Sequence, residues 1–261
     1  LCKYNLMQAL IDYEYSIRLN NQGYKVNAHI KIDTGMHRLG FDKEDVESIA
    51  TVFSLKNIKV CGIYTHLCAS DSIDEKDVSF TNMQIESFYK LLRLIKEKGI
   101  AIPKIHIQSS YGFLNYPELK CNYVRTGVAL YGVLSSPNDK VKLQLDLRPV
   151  LSLKARVILL RQIKTGDCVG YSRSFVADRD SPIAILSIGY ADGYPRILSC
   201  GKSYVLINGH QAPVVGKICM DLLAVDVTDC PDVTVGSIAT LIGNDGNEEI
   251  SAPTVADNSE S

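Results

Sequence analysis

Residues 31–41 read Lys31-Ile-Asp-Thr-Gly-Met-His-Arg-Leu-Gly-Phe41, and they follow an alternating, largely apolar stretch at 26–30. Such a stretch is typical of a buried strand, and the Thr-Gly pair at 34–35 predicts that the strand ends in a turn. Lys31 then lies near the carboxyl end of the strand, where an α/β barrel carries its chemistry. Lys31 and Arg38 together predict a site for an anion, although a strand-ending lysine and a solvated loop arginine explain the same spacing.

The first half of the chain alternates strand and helix patterns. Apolar residues at helical spacing predict a helix after Asp42, and residues 58–64 predict the next strand. Ser72 and Glu75 have the spacing of a capping box and predict a longer helix that ends at Gly99. This half also contains a predicted buried helix stripe at Ile85, Phe88, Leu92 and Ile95, and short strands at 104–107 and 122–124. The alternation indicates a parallel sheet with right-handed crossovers.

The period of the apolar residues changes to two after about residue 146. Four apolar residues alternate with polar ones at Leu153, Ala155, Val157 and Leu159. Asn208-Gly209 is the favoured two-residue hairpin turn, and residues 135–148 have the composition of a linker. A complete barrel needs about 250 residues. We therefore predict a partial (β/α)8 TIM-type barrel over 1–145, followed by an antiparallel β domain over 146–261.

Composition is typical of an ordinary globular protein. The chain has 261 residues, 46% hydrophobic content and a formal net charge of -1, so its charge gives no argument for nucleic-acid binding. It contains no run of eighteen apolar residues. The eight cysteines include no Cys-x-x-Cys pair, which argues against a zinc knuckle or a disulfide framework. We expect reduced thiols in the cytoplasm, or in the cytoplasmic domain of a membrane protein.

Seven segments resemble, in the same order, the motifs of the alanine racemase family, enzymes of the pyridoxal 5'-phosphate barrel class. The first is similar to that family's Lys-x-Asp-Thr-Gly-Met-x-Arg-Leu-Gly. The others are Tyr64-Thr-His-Leu67, His106-Ile-Gln-Ser-Ser110, Val124-Arg-Thr-Gly-Val-Ala-Leu-Tyr-Gly132, Val169-Gly-Tyr171, Gly189-Tyr-Ala-Asp-Gly-Tyr-Pro-Arg196 and Val215-Gly-Lys-Ile-Cys-Met-Asp221. The resemblance implies a pyridoxal-phosphate barrel, a following β domain, and head-to-tail homodimers with shared active sites.

The resemblance also implies the bases of a two-base racemisation, which removes the α-proton and returns one on the opposite face. Tyr171 matches the family's second base and would reach into the partner subunit's barrel. His66 is the candidate relay, with Arg125 and His106 behind it. Arg125 would donate to the pyridine nitrogen of the cofactor, and a guanidinium leaves that nitrogen unprotonated. His66 and Arg125 would thus both contact the cofactor.

Further residues are assigned to the cofactor phosphate by the same resemblance. Ser110, Gly127 and Val128 would hold it through a hydroxyl and backbone N–H groups, which can approach because Gly127 lacks a side chain. The family usually has Asn before this serine, whereas this chain has Ser109.

The substrate side of the site is implied in the same way. Lys31 resembles a lysine that many family members carry as a carbamate, which would hold Arg38 in place. Arg38 would address the cofactor's phenolic oxygen and the substrate carboxylate. Met220 and Asp221 of the partner would complete the carboxylate site, and Tyr190 would line the entrance or serve packing.

The sequence departs from the family in one respect. No segment resembles Val-Lys-Ala-Asn-Ala-Tyr-Gly, which bears the Schiff-base lysine, so we expect the middle of a longer racemase with that lysine outside the chain. Residues 25–29 and Thr126, in place of Pro, resemble the racemase domains of vancomycin-resistance serine/alanine racemases, which carry a membrane module elsewhere. The expected substrate is alanine, with serine also accepted, and the implied role is D-alanine supply for cell-wall peptidoglycan.

Two other functions fit the residues. A metal-dependent barrel hydrolase would use four predicted strand-end residues, His29, Lys31, His66 and His106. Against it, the His-x-His pair of such sites is missing. The second alternative is a non-catalytic relic of a racemase that still binds a ligand, although the joint presence of Tyr171, His66, Arg125 and Arg38 speaks against it.

Overall fold

The computed structural model describes residues 1–260, apart from the side chain of Cys2; Ser261 lies outside this range. The chain divides into two compact units, one made of residues 1–130 and 139–146, the other of 131–138 and 147–260. The first unit is parallel α/β and the second is antiparallel β, which confirms the predicted fold class. In the described range, no helix has the length and apolar character needed to span a membrane.

The first unit is built on a five-stranded parallel sheet with the order β1-β2-β4-β5, and β3 pairs with β2. Its elements are β1 (Gln8–Leu10), α1 (Tyr13–Asn21), β2 (Val26–Asp33), β3 (Phe41–Asp42), α2 (Val46–Phe53), β4 (Ile58–Tyr64), α3 (Glu75–Glu97), β5 (Lys104–His106) and α4 (Ser110–Asn115). Apolar residues of β2 and β4 pack against the helices, and the predicted stripe of α3 is buried in this core. The parallel pairing places the ends of β2, β4 and β5 side by side.

Two details of the first unit correct the sequence prediction. Helix α3 begins at Glu75 with Asp74 at its N-cap, whereas the Ser72 hydroxyl accepts a hydrogen bond from the Asp74 N–H at 3.1 Å and so belongs to the preceding turn. Residues 122–124 form no strand. The Asn122 side chain accepts the Ile105 N–H at 2.8 Å, so a side chain takes the place of the backbone acceptor that a ladder would supply.

Helix α1 was not predicted from the sequence. Asp12 is its N-cap, and the Asp12 carboxylate accepts a hydrogen bond from the Tyr15 N–H at 2.6 Å. Glu14 in the first turn adds favourable charge at the helix N-terminus. An aspartate before a helical pattern is a recognised start signal, so the element was readable from the sequence.

The second unit is an antiparallel sheet with the order β10-β11-β12-β9-β6-β13-β14. Its elements are β6 (Leu153–Ile163), β7 (Cys168–Val169), β8 (Phe175–Val176), β9 (Ser181–Leu186), β10 (Tyr204–Ile207), β11 (His210–Val215), β12 (Leu223–Asp226), β13 (Ile238–Asp245), β14 (Glu248–Ile250) and α5 (Ala252–Asn258). Strand β10 also pairs with β13, so six strands close around one apolar core. Strands β7 and β8 form a separate ribbon.

The predicted hairpin is confirmed, and one predicted face is wrong. Asn208 and Gly209 have φ values of +52° and +77°, as a type I′ turn between β10 and β11 requires. In β6, Ala155 and Val157 are buried as predicted, but Leu159 is 39% exposed. A bulge in the β6–β9 pairing between Val157 and Leu159 shifts the alternation.

Candidate active site

A cavity of about 480 Å³ opens in the first unit at the carboxyl-terminal part of its strands. It is lined by Met7, Gln8, Ala9, Ile11, His29, Lys31, Arg38, Leu39, Tyr64, His66, His106 and Arg125. The lining contains three cationic side chains, those of Lys31, Arg38 and Arg125, and no carboxylate. This balance of charge suits an anionic ligand and disfavours a metal cation.

Arg125 is held by five hydrogen bonds through its two terminal nitrogens. Nη1 bonds to His106 Nδ1 at 2.7 Å and to the His106 carbonyl at 3.2 Å. Nη2 donates to the carbonyls of Thr65 at 2.8 Å and Ile107 at 3.1 Å, and bonds to His66 Nδ1 at 3.0 Å. These bonds leave the Nε–H, which no described residue accepts. The guanidinium is therefore fixed in orientation with one donor left for a ligand.

The contacts of Arg125 assign the protons on two histidines. A guanidinium has only donors, so His106 Nδ1 and His66 Nδ1 must both accept, and each neutral ring carries its proton on Nε2. Both rings are neutral near pH 7, because burial, reinforced by the Arg125 charge, lowers the pKa of each to about 4. His66 thereby keeps an Nε2–H donor at the cavity.

Tyr64 adds an aromatic support that was not predicted from the sequence. Its ring stacks on the His106 ring with centroids 4.6 Å apart and planes 10° from parallel. The Arg125 guanidinium carbon lies 5.1 Å from the Tyr64 ring centroid, a cation–π distance. Tyr64 ends β4 directly before the Thr-His pair, and that position was the available signal.

Lys31 lies in β2 and is only 6% exposed, whereas Arg38 is exposed on the loop beyond. Lys31 Nζ donates to the Leu39 carbonyl. Burial lowers the pKa of Lys31, and the charges of Arg38 and Arg125 lower it further, although Asp33 acts in the opposite direction. A buried amine with a lowered pKa is more often neutral, hence more nucleophilic, than an ordinary lysine.

The predicted phosphate residues come together in the first unit. Ser110 opens α4, and its hydroxyl accepts hydrogen bonds from the N–H groups of Gly127 at 2.8 Å and Ala129 at 3.3 Å. A Cβ on Gly127 would meet nothing nearer than the Ser110 Oγ, at 3.8 Å. Val128 follows at the start of a one-turn 3₁₀ helix. The structure therefore presents a hydroxyl beside an accessible, side-chain-free turn.

The second unit holds the other predicted residues, on three neighbouring loops. Tyr171 is 63% exposed and starts a 3₁₀ turn, and Lys217 Nζ donates to Ser172 of the same turn at 3.1 Å. Tyr190 donates its N–H to the Cys219 carbonyl at 3.0 Å. Met220 is 54% exposed and Asp221 is exposed beside it. The loops that carry Tyr171, Tyr190 and Met220-Asp221 are thus connected through the segment 216–220.

A close approach of backbone fixes the junction between two of these loops. A Cβ on Gly189 would lie 2.3 Å from the Met220 carbonyl oxygen and 2.4 Å from that of Cys219. Only glycine allows the Gly189 loop and the Met220 loop to touch in this way. The loop carrying Tyr190 is therefore locked to the loop carrying Met220.

Two features of the cavity were not found from the sequence. The segment from Met7 to Ile11, which contains the short strand β1, lines it, but three residues give too little periodicity to identify. His29 lines it too and was considered only as a metal ligand. Within the described range, no three His, Cys, Asp or Glu side chains converge as a metal site requires.

The fold and the cavity together define a class of protein: a parallel α/β unit with a cationic pocket at its strand ends, followed by an antiparallel β unit. The sequence model described as "Alanine racemase, N-terminal domain" matches residues 1–135, and "Alanine racemase, C-terminal domain" matches 150–261. The chain belongs to the alanine racemase family.

Relatives and solved structures agree with this membership. An amino-acid racemase of Enterococcus faecalis is 64% identical over 261 residues, which are all of this chain and 37% of that protein. A serine/alanine racemase of Enterococcus gallinarum is 37% identical over 237 residues, 91% of this chain and 34% of that protein. The chain thus spans about a third of the length of these relatives.

Among solved structures, an alanine racemase from E. faecalis has a TM-score of 0.89 and 31% identity, covering 99% of this chain and 69% of that one. The alanine racemase of Bartonella henselae with covalently bound pyridoxal phosphate has a TM-score of 0.82 and 30% identity, with the same coverage.

Proposed function

We propose that the full-length protein is a pyridoxal-phosphate-dependent racemase that interconverts L- and D-alanine, with serine as a further substrate. The observation that carries this is Arg125, held by His66 and His106 with its Nε–H unused, in a cavity whose charged residues are all cations. The names of the Enterococcus relatives, amino-acid racemase and serine/alanine racemase, support the substrate class.

The donors present fit pyridoxal phosphate. Arg125 Nε–H would donate to the pyridine nitrogen, and Arg38 would address the phenolic oxygen. Ser110, Gly127 and Val128 would hold the phosphate at the open turn, where a Cβ on Gly127 would meet only the Ser110 hydroxyl. When bound, the cofactor would withdraw electrons from the substrate α-carbon. Because a guanidinium keeps its protons, Arg125 would limit how much charge the ring takes up.

Tyr171 and His66 would move the proton on one face of the substrate. A tyrosine has an ordinary pKa near 10, so a basic Tyr171 needs neighbours that favour its phenolate. The Nε2–H of His66, whose tautomer Arg125 sets, would donate to the phenolate oxygen, and positive charge from Arg125 and Arg38 would lower the phenol's pKa further. We propose that this contact forms between subunits of a homodimer, with Tyr171 entering the partner's barrel.

The substrate carboxylate would be bound by Arg38 together with Met220 and Asp221 of the second unit, and Tyr190 would line the entrance. The close packing of the Tyr190 loop against the Met220 loop at Gly189 supports joint placement of these residues. Lys31 would react with CO2 to form a carbamate that holds Arg38. Its burial and its lowered pKa support that reaction, because CO2 is attacked by the neutral amine.

A reducing compartment such as the cytoplasm suits the chain, since Cys68, Cys168 and Cys200 are exposed free thiols.

The test is to purify the full-length protein and measure α-proton exchange of L- and D-alanine in D2O, with absorbance of the bound cofactor recorded before and after borohydride. We expect exchange of both enantiomers, and mass spectrometry after reduction would identify the lysine that carries the cofactor. Arg125→Gln should lower exchange by about 10²-fold or more, as expected when a charged hydrogen bond at the reacting system is lost. Arg161→Gln, at an exposed position of β6, is the control.

Three results separate the alternatives. Bound cofactor without exchange would identify a binding relic. Stoichiometric metal with metal-dependent hydrolysis would identify the hydrolase. Absence of bound cofactor, with full exchange activity, would exclude the chemistry proposed for Arg125.

A further inference from the structure

His29 lies in β2 on a seat that the neighbouring strand provides. The β2–β4 register pairs His29 with Gly62. A Cβ on Gly62 would lie 2.5 Å from both Nδ1 and Cε1 of the His29 ring, so glycine is the residue that leaves room for this imidazole. The ring lines the cavity and is partly exposed. The glycine at the buried position 62 of β4 therefore makes room for the His29 ring.

The His29 ring is also bonded to the Arg125 cluster. His29 Nδ1 lies 2.8 Å from His106 Nε2, with ring centroids 5.0 Å apart. Arg125 makes His106 Nδ1 an acceptor, so the His106 proton is on Nε2 and is donated to His29. His29 Nδ1 is therefore the acceptor, and the neutral His29 ring carries its own proton on Nε2. Four side chains then form one row, His29, His106, Arg125 and His66, in which every hydrogen bond is donated away from Arg125.

We propose that His29 is a positioning residue, which holds the His106 ring by accepting its Nε2–H and thereby fixes the Arg125 guanidinium. Without His29, His106 would keep one hydrogen bond at Nδ1 but could turn about it, and Arg125 would lose the fixed support of one terminal nitrogen. The tilted His29–His106 contact and the stacked Tyr64 ring then hold the imidazole from two sides. The effect of His29 on catalysis rests on the proposed function. The hydrogen-bonded row is independent of that function.

A structural role alone would be served as well by an apolar ring on the same seat, and this allows a test. His29→Phe keeps a ring above Gly62 but removes the acceptor. His29→Asn keeps an acceptor near the Nδ1 position without the ring. Gly62→Ala leaves His29 unchanged in identity and displaces its ring, because the new Cβ meets side-chain rather than backbone atoms. His210→Phe, at an exposed position of β11, is the control.

The first readout is the imidazole 15N spectrum of the full-length protein before cofactor is added. In the unmodified chain we expect a pyridine-like Nδ1 and a protonated, slowly exchanging Nε2–H on His106, with a 15N–15N coupling across the hydrogen bond to His29. His29→Phe and Gly62→Ala should lose the slow exchange, and His29→Asn should retain it. A His106 proton on Nδ1, or slow exchange that survives His29→Phe, overturns the proposal.

The second readout uses the full-length protein with cofactor. One neutral hydrogen bond changes an equilibrium by roughly two- to tenfold, so His29→Phe should lower kcat by about that factor with KM little changed. His29→Asn should restore most of it. Equal kcat in the Phe variant and the unmodified protein overturns the positioning role. If the unmodified protein does not racemise, the proposed function fails, and the 15N spectrum still decides whether the row exists.

Discussion

The cavity of the first unit and the loops of the second position their side chains in different ways. In the cavity, side chains hold one another: Arg125 makes five hydrogen bonds, and Lys31 is 6% exposed. In the second unit the backbone is locked, as at Gly189, while Tyr171 and Met220 remain 63% and 54% exposed. The cavity is thus organised for a bound group before the group arrives. The loops instead present exposed side chains on a fixed backbone.

This organisation of the cavity has an energetic cost. Lys31, Arg38 and Arg125 repel one another, and burial further disfavours the charge on Lys31. No carboxylate lines the cavity, and the nearby Asp33 offsets that repulsion only in part. An anion that binds in the cavity would neutralise this repulsion. The same cationic residues that weaken the fold therefore favour a phosphate- or carboxylate-bearing ligand.

The largest effect on activity should come from a substitution in the exposed loops of the second unit. Tyr171→Phe in the full-length protein removes the proposed base without disturbing a packed residue, and general-base catalysis contributes about 10²–10⁴-fold. We expect racemisation to fall by about 10³-fold in that variant, while exchange of the α-proton persists for one enantiomer. Tyr24→Phe, at an equally exposed tyrosine of the first unit, should have no effect.

Subunit mixing then tests whether the two regions meet across a dimer. Tyr171→Phe protomers combined with Arg125→Gln protomers give heterodimers in which one site carries both changes and the other neither. Activity should return in part. If the subunits exchange and the mixture stays inactive, Tyr171 and Arg125 act within the same chain.

A smaller effect, on stability, should distinguish a glycine packed against backbone, Gly189, from a glycine with room for a Cβ, Gly127. Gly189→Ala places a Cβ 2.3 Å from the Met220 carbonyl, backbone against backbone, and should destabilise the second unit by about 2–3 kcal/mol. Gly127→Ala meets only the Ser110 hydroxyl at 3.8 Å and should change stability by less than about 0.5 kcal/mol. Its effect should appear instead as weaker cofactor binding. Urea unfolding and cofactor titration measure the two, and a stability loss in Gly127→Ala equal to that in Gly189→Ala would contradict the distinction.

The fold could be predicted from the sequence where a pattern repeats over many residues, and not where one side chain decides the structure. Periodicity gave β4 and the buried stripe of α3, because a repeated pattern averages over many residues. It missed β1, with three residues, and mistook 122–124 for a strand, because a single Asn122 side chain replaces a ladder bond there.

Side-chain networks were the other limit. Motifs pointed to Arg125, His66 and His106, but the participation of Tyr64 and His29 depends on which residues face one another across strands. Gly62 opposite His29 is visible only once the register is known, since a bulge between Ala28 and His29 shifts the pairing. The residues proposed to carry the chemistry were thus readable from motifs, whereas the residues that contact them could be identified only from the pairing of the strands.

The smallest expected effect is a pH dependence confined to one unit. His66 and His106 have pKa values of about 4 in the folded state because of burial and the nearby Arg125 charge, against an ordinary value of 6.5. Between these values the unfolded chain binds more protons than the folded one, so stability is present above pH 6.5 and is lost as the pH falls toward 4. His66 is partly exposed and His106 lines the cavity, and we expect a loss on the order of 1 kcal/mol per histidine across that window.

The second unit provides the internal control, because its single histidine, His210, is exposed on β11. Peptide-resolved hydrogen exchange between pH 6.5 and 5, corrected for intrinsic exchange, would report the two units separately while most carboxylates stay ionised. Protection of β2, β4 and β5 should decline over that range, and His106→Asn should flatten the decline. An equal decline of protection in β9 and β12 would show that the pH dependence does not originate in His66 and His106. That result would contradict the neutral state assigned to the two rings.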